Sequence, residues 1–247
     1  MDLGIEGRRA AVAGASAGLG YSTAKALVDA GVQVAICGRD TDRIATAAAS
    51  LGDRAVAITA DVSTPEGATG FVEAARDVLG GIDILVPNAG GPPPGNFAST
   101  PLEAYLPAVE LNLLSTVAMC YAAVPAMQEQ RWGRVVAITS GTVRQPNPNL
   151  ILSNTARAGV TGFLKTLALE VAKDGVAVNS IQPGLHMTDR MRSLGVDPDT
   201  AGRDIPTGVI GDPDDFGSVA AFLCSEQARF VVGAALPVDG GAHRGLQ

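Results

Sequence analysis

With 247 residues, of which 47% are hydrophobic and 17% charged, the chain has the apolar content for a sizeable core and suits one α/β domain better than two. The formal net charge of −7, with no run of lysines or arginines, excludes the electrostatic footprint that nucleic acid or an anionic membrane surface would require, and it points to a small-molecule substrate. Cys37, Cys120 and Cys224 are odd in number, far apart and set among apolar or small neighbours, which fits buried thiols in a reducing compartment. His186 and His243 are the only histidines, so no zinc site is expected. The opening Met1-Asp2-Leu3-Gly4 carries no basic region ahead of an apolar stretch, and no segment approaches roughly 18 uninterrupted apolar residues. Neither export nor a membrane span is expected, and the location read from the sequence is cytoplasmic.

Short β-rich runs alternate with longer Ala-rich segments of helical spacing. Ala10–Ala13 precedes a helix over Leu19–Ala30, Val32–Cys37 precedes Asp42–Leu51, and Ala55–Ala60 precedes Pro65–Leu79. The alternation continues through Ile84–Val86, a long helix over Leu102–Met127, Arg134–Thr139, a helix over Asn154–Lys173, and Val176–Ile181. Asp214–Ser225 and Ala235–Val238 close the series. This order predicts a single doubly wound parallel sheet with helices on both faces, one domain over residues 1–247. The irregular places are Pro92-Pro93-Pro94 and Met187–Gly208; both follow predicted strands, where such sheets bind ligands, so the first reads as a stiff entrance and the second as a mobile lid.

Gly14-Ala15-Ser16-Ala17-Gly18-Leu19-Gly20 lies between the first strand and the first helix. Glycines there let the backbone approach a pyrophosphate while the helix N-terminus offers free N–H groups to its charge, the Rossmann-type arrangement for a nicotinamide dinucleotide. Specificity for NAD calls for an acid ending the second strand, to bind the ribose 2′-hydroxyl. Here the strand ends Ile36-Cys37-Gly38-Arg39, and a guanidinium in that place accepts a 2′-phosphate, which favours NADP. The alternative is that Arg39 is a solvated cation and Asp40 or Asp42 takes the ribose.

Further ordered motifs follow: Asp61-Val62 after the third strand, Asn88-Ala89-Gly90 after the fourth, Asn112 in the long helix, Ser140 after the fifth, Pro183-Gly184 after the sixth and Val238-Asp239-Gly240-Gly241 near the end. On these the chain resembles the short-chain dehydrogenase/reductase family essentially end to end. The resemblance implies that Gly14, Ser16, Gly18, Leu19 and Gly20 cradle the cofactor. It implies that Asp61 and Val62 hold the adenine, that Asn88, Ala89 and Gly90 line the cofactor, and that Pro183, Gly184 and Thr188 clasp the nicotinamide carboxamide. It also implies a homo-oligomer, dimer or tetramer, paired through Leu102–Met127 and Asn154–Lys173.

The family's catalytic group is Asn, Ser, Tyr and Lys, of which Asn112 and Ser140 match by position. Ser153 stands where the tyrosine is expected and Arg157 where the lysine is expected, and the segment Leu152-Ser153-Asn154 with Arg157 resembles a divergent subgroup similar to 3-oxoacyl-carrier-protein reductase. An alkyl hydroxyl is a far weaker acid than a phenol of pKa near 10. A guanidinium stays charged at any working pH and cannot shuttle a proton, although Arg157, four residues along the same helix face, can keep the lysine's hold on the ribose. Proton delivery must come from elsewhere, and water or His186, beside the carboxamide clasp, is the candidate. Tyr21, Tyr105 and Tyr121, the only phenols, read as packing residues, with Tyr105 the one that could reach over a substrate; Arg144, four residues past Ser140, reads either as a substrate-facing group or as an exposed loop residue. The leading expectation is an NADP(H)-dependent oxidoreductase of carbonyls or imines with an atypical active site. The alternatives are a non-catalytic NADP(H)-binding subunit or sensor, and a non-redox isomerase, dehydratase or cyclase in the same pocket.

Overall fold

The computed structural model of the chain describes residues 2–245. In chain order the elements are β1 (Arg9–Val12), α1 (Gly18–Asp29), β2 (Gln33–Gly38), α2 (Thr41–Leu51), β3 (Ala55–Thr59), α3 (Pro65–Leu79) and β4 (Ile84–Val86). There follow α4 (Tyr105–Val109), a π turn (Glu110–Leu114), α5 (Ser115–Glu129), β5 (Gly133–Ile138), α6 (Ile151–Val171), β6 (Val176–Pro183), α7 (Asp189–Ser193), α8 (Pro198–Ala201), α9 (Pro213–Leu223) and β7 (Ala235–Val238). The strands form one parallel sheet in the order β3-β2-β1-β4-β5-β6-β7. The order reverses between β1 and β4, and the crevice outside their carboxyl ends is where such a sheet takes a ligand.

Strand alternation builds two cores from the same residues. Ala10, Val12, Val34, Ile36, Val136 and Ile138 face one side and pack with helices α1, α2 and α9. Ala11, Ala13, Ala35, Cys37, Val135 and Ala137 face the other and pack with α3, α5 and α6. Because both faces are covered, the strands carry no polar row, and the small residues of β1 let helices approach closely. The amino ends of the strands are pinned by Asp83, whose carboxylate accepts bonds from the Arg9 backbone N–H and from Arg9 Nε and Nη2, at 2.9, 2.9 and 3.0 Å. Next to it Trp132 lies between the guanidinium groups of Arg8 and Arg134, 3.8 and 4.4 Å from its ring centre.

Three sequence expectations need correction. The helix expected over Leu102–Met127 is broken by a π turn that carries Asn112, whose Nδ2 donates to the Gly90 carbonyl at 2.9 Å. A wider turn re-aims that side chain, at the cost of the regular ladder. By length and apolar composition the Leu102–Glu129 stretch is long enough to cross a membrane, but α5 packs against α3 and the sheet. The helix expected from Asn154 begins at Ile151 instead; it has no side-chain cap, and the Ile151 N–H is satisfied by the Gly95 carbonyl, 3.1 Å away. The same bridge, with the Gly95 N–H on the Asn149 carbonyl at 2.8 Å, straps the Pro-rich loop to the head of α6. Finally, Met187–Gly208 is not a plain loop: α7 and α8 lie within it, the latter capped by the Asp197 side chain with Pro198 in its first turn.

Burial alone would raise the Asp83 carboxyl, but its hydrogen bonds and attraction to Arg9 outweigh that and hold it below the usual carboxylate range. A depressed folded-state pKa contributes stability that is present above about pH 3.9 and lost as pH falls through the lower folded value. Asp83→Asn should therefore lower unfolding stability at neutral pH by about 1.5–3 kcal/mol, the worth of charge-assisted bonds, with the difference shrinking below about pH 4. Equal denaturation midpoints for the two proteins at pH 7 would contradict this.

Candidate active site

The crevice begins at the glycine-rich turn. Gly14 adopts φ +57°, and a Cβ on Gly20 would lie 2.5 Å from the Gly14 carbonyl oxygen and 2.9 Å from Asn88 Nδ2, so neither position tolerates a side chain without movement. Asn88 Nδ2 ties the turn down by donating to the Ala13 and Gly14 carbonyls at 3.2 and 3.1 Å. Helix α1 starts at Ala17, which has no side-chain oxygen to cap it, whereas α2, α3 and α9 are capped by Asp40, Thr64 and Asp212. Its free N–H groups and the positive end of its dipole therefore remain for an external anion.

Two lobes open from this turn. One, about 350 Å³, is lined by Gly14, Ser16, Gly38, Arg39, Asp61, Val62, Ala89 and Gly90. The other, about 730 Å³, is lined by Gly18, Leu19, Gly20, Asn88, Ala89, Gly90, Thr139, Arg157, Pro183 and Thr188. Every residue the sequence assigned to the cofactor lines one of these lobes except Gly184, which is packed so closely that a Cβ there would strike Asp239. Arg39 is exposed, at the mouth of the smaller lobe. The Asp40 carboxylate is engaged as the cap of α2, accepting from the Arg43 backbone N–H at 2.9 Å, which leaves Arg39 the better placed of the two toward a ribose phosphate. Sequence reasoning missed Arg43, one turn into α2, and Arg190 of α7, which both line the larger lobe; a lone arginine on a helix surface gives no sign of the crevice it borders.

Arg157 is only 8% exposed. Its Nη1 donates to the carbonyls of Ile138 and Thr139 at 3.2 and 3.1 Å, and its Nη2 to the Ala89 carbonyl at 3.4 Å. Burial pushes its pKa down to about 10, which still leaves it charged at neutral pH. Among the described residues no carboxylate lies within ion-pair distance of it. Ser153 sits one turn earlier on the same buried face of α6, without a hydrogen-bond partner for its hydroxyl among the described residues. Ser140 follows Thr139; its hydroxyl accepts from the Thr142 N–H at 3.2 Å and pairs with the Thr142 hydroxyl at 3.0 Å. Asn112 is buried, and its Oδ1 has no partner.

These observations fit a nicotinamide dinucleotide: a turn whose glycines admit a close backbone approach, an uncapped helix start for the pyrophosphate, and a buried cation with no anion among the described residues to balance it. Two other sequence candidates do not join the site. His186 is packed edge-on against Phe216, ring centres 5.2 Å apart, with Nδ1 on the Gly184 carbonyl at 3.1 Å and Gly211 pressed against the ring. Its ring faces the α9 core and lines neither lobe. Arg144 is drawn away to the Ala235 carbonyl at 2.7 Å.

The family model described as enoyl-(acyl carrier protein) reductase matches residues 14–243. The chain belongs to the short-chain dehydrogenase/reductase family. The 3-oxoacyl-[acyl-carrier-protein] reductase FabG of Vibrio cholerae is 34% identical over 242 residues, 98% of this chain and 99% of that protein. The L-sorbose reductase of Gluconobacter frateurii, solved with NADPH and L-sorbose, superposes with a TM-score of 0.93 at 33% identity over the whole of both chains. A short-chain oxidoreductase of Pseudomonas aeruginosa PAO1, described as containing an atypical catalytic center and solved with NADPH, gives 0.89 at 31% identity over 97% of this chain and 98% of that one.

Burial lowers the His186 pKa, more than the Gly184 carbonyl and nearby carboxylates raise it. The unfolded chain then takes up a proton below about pH 6.5 that the folded chain refuses, so stability falls as pH drops from there. The unfolding midpoint of His186→Leu should decline less than that of the native chain between pH 7 and pH 5. Parallel declines would show that the ring is not buried as described.

Proposed function

We propose that the chain is an NADP(H)-dependent oxidoreductase that reduces a carbonyl or imine, or runs the reverse reaction, with an active site in which Ser153 and Arg157 replace the family's tyrosine and lysine. The observation that carries this reading is Arg157: a buried guanidinium with no counter-ion among the described residues, facing the lobe that Thr188 and Asn88-Ala89-Gly90 also line. NADPH, when bound, supplies the hydride. The chain's residues bind, orient and polarise. The α1 N-terminus and glycine turn hold the pyrophosphate. Arg39, with Arg43 nearby, answers the 2′-phosphate, and Asp61 and Val62 flank the adenine. Arg157 adds positive charge beside the nicotinamide ribose and favours negative charge developing on the substrate oxygen. Ser140, oriented by Thr142, and Ser153 offer that oxygen hydroxyl groups. Asn112 steadies the Gly90 backbone that lines the pocket.

The Pseudomonas neighbour, which binds NADPH and is described as containing an atypical catalytic center, supports cofactor binding beside an atypical site, and the NADPH-bound sorbose reductase supports the cofactor choice. A non-catalytic binding subunit would keep the nucleotide residues, but it has no need for a Ser140 hydroxyl held by Thr142 beside the cofactor lobe. Purified chain incubated with NADPH and a panel of aldehydes, ketones and cyclic imines should consume NADPH with at least one of them. Arg39→Asp should cut the preference for NADPH over NADH at least about tenfold, the loss of one charge-assisted contact. Tight NADPH binding without turnover on any substrate would defeat the reductase reading, and unaltered discrimination would defeat the role of Arg39.

A further inference from the structure

Gln182 is 0% exposed, and among the described residues neither its Nε2 nor its Oε1 has a hydrogen-bond partner. Leaving both ends of a buried carboxamide unpaired costs about 1–3 kcal/mol for each group, so an amide retained there is expected to meet a partner when the site is at work. Its position shows which site. Along β6, Val178 packs with Val160 and Leu164 of α6, and Ser180 lines a cavity with Thr161 and Leu164, whereas Ile181 packs on the opposite face. The even-numbered residues of β6 therefore face α6, and Gln182 is the next of them toward the carboxyl end of the sheet. Helix α6 connects two parallel strands and so runs antiparallel to β6. Moving from Ser180 to Gln182 thus moves along α6 from Thr161 toward Arg157 and Ser153. The strand register agrees, because Ile138, whose carbonyl holds Arg157, stands beside Ile181.

We propose that Gln182 is a positioning residue whose carboxamide, together with the Ser153 hydroxyl, holds a water molecule that protonates the substrate oxygen. The proposal rests on the reductase reading above. A carboxamide has one acceptor and one donor end but no ionisable proton, so it can orient a water and cannot replace it. Ser153 contributes a second short polar group from the helix, in the place where the resemblance expects a phenol. In the reduction, hydride joins the carbonyl carbon and the C=O π pair moves to oxygen. That oxygen takes a proton as one O–H bond of the water breaks, and the hydroxide left behind regains a proton from solvent through the Ser153 hydroxyl. The neighbouring Arg157 charge favours both transient anions. Neither Gln182 nor Ser153 lines the cofactor lobes, so the step is separable from nucleotide binding.

A crystal structure of the full chain with NADP⁺, at a resolution that shows ordered solvent, should place a water within hydrogen-bond distance of both the Gln182 carboxamide and Ser153 Oγ. An amide bonded only to protein groups, or to the substrate itself, would overturn the proposal. Gln182→Met, close in volume but without hydrogen-bonding atoms, should keep NADPH affinity within about twofold and leave KM nearly unchanged. Its kcat should fall at least about tenfold, the low end of what proton delivery contributes, while its thermal stability holds or rises. An unchanged kcat, or a loss of NADPH affinity and stability alongside it, would assign Gln182 a merely structural part. If the native chain reduces nothing, the reductase reading fails by itself, and the solvent structure still decides whether Gln182 and Ser153 share a water.

Discussion

A guanidinium held out of water on α6, bonded to three backbone carbonyls and facing no carboxylate among the described residues, is the constraint around which the rest of this crevice is arranged. The carbonyls come from the ends of β4 and β5, so the charge is fixed at the carboxyl edge of the sheet, beside the point where strand order reverses. Hydrogen bonds to carbonyls satisfy its N–H groups without neutralising it. The effective cost of an uncompensated buried charge is several kcal/mol, and the crevice reduces that cost when it holds an anion. The uncapped start of α1 points the same way, since both features wait for negative charge supplied from outside the chain.

The fold makes this possible by sorting small and large residues. Alanines and glycines along β1 and its turn allow α1 to sit close enough for its N-terminus to face the crevice, while Asn88 stitches β4 to the turn. At the opposite edge of the sheet, Asp83 and Trp132 gather Arg8, Arg9 and Arg134 into a compact charged cluster. One end of the sheet thus pairs its arginines with Asp83 and Glu226, and the other is left electrostatically open. The α5–α6 surface, with a groove between Val124, Phe163 and Leu167 and an exposed Tyr121, is where the sequence expects two copies to pair.

Much of this was legible in the chain because it depends on local pattern. The alternation of apolar runs with Ala-rich helical spacing read the sheet and its helices, and the glycine spacing marked the turn because only glycine fits at Gly14 and Gly20. Ser153 and Arg157 stood out by departing from the family's pattern. What was not legible depends on partners distant in sequence. His186 looked like a site residue from its neighbours in the chain, but Phe216 of α9 and Gly211 decide where its ring goes. The head of α6 shows no capping residue because Gly95 supplies the missing acceptor. The break at Glu110–Leu114 lies inside an unbroken apolar stretch, and Gln182 reads as an ordinary strand residue until its burial and unpaired amide are seen.

On the reading proposed above, Arg157 carries a charge that the described residues do not balance and the dinucleotide does. Two quantities measured on Arg157→Met test it together: the chain's unfolding stability without nucleotide and its Kd for NADPH. Removing an uncompensated buried charge should leave stability equal or higher, while NADPH affinity falls at least about tenfold, as expected for the loss of charge-assisted contacts. A variant that is less stable yet binds NADPH as tightly as the native chain would contradict the account, because the guanidinium would then be a structural strut and not the anchor of the site.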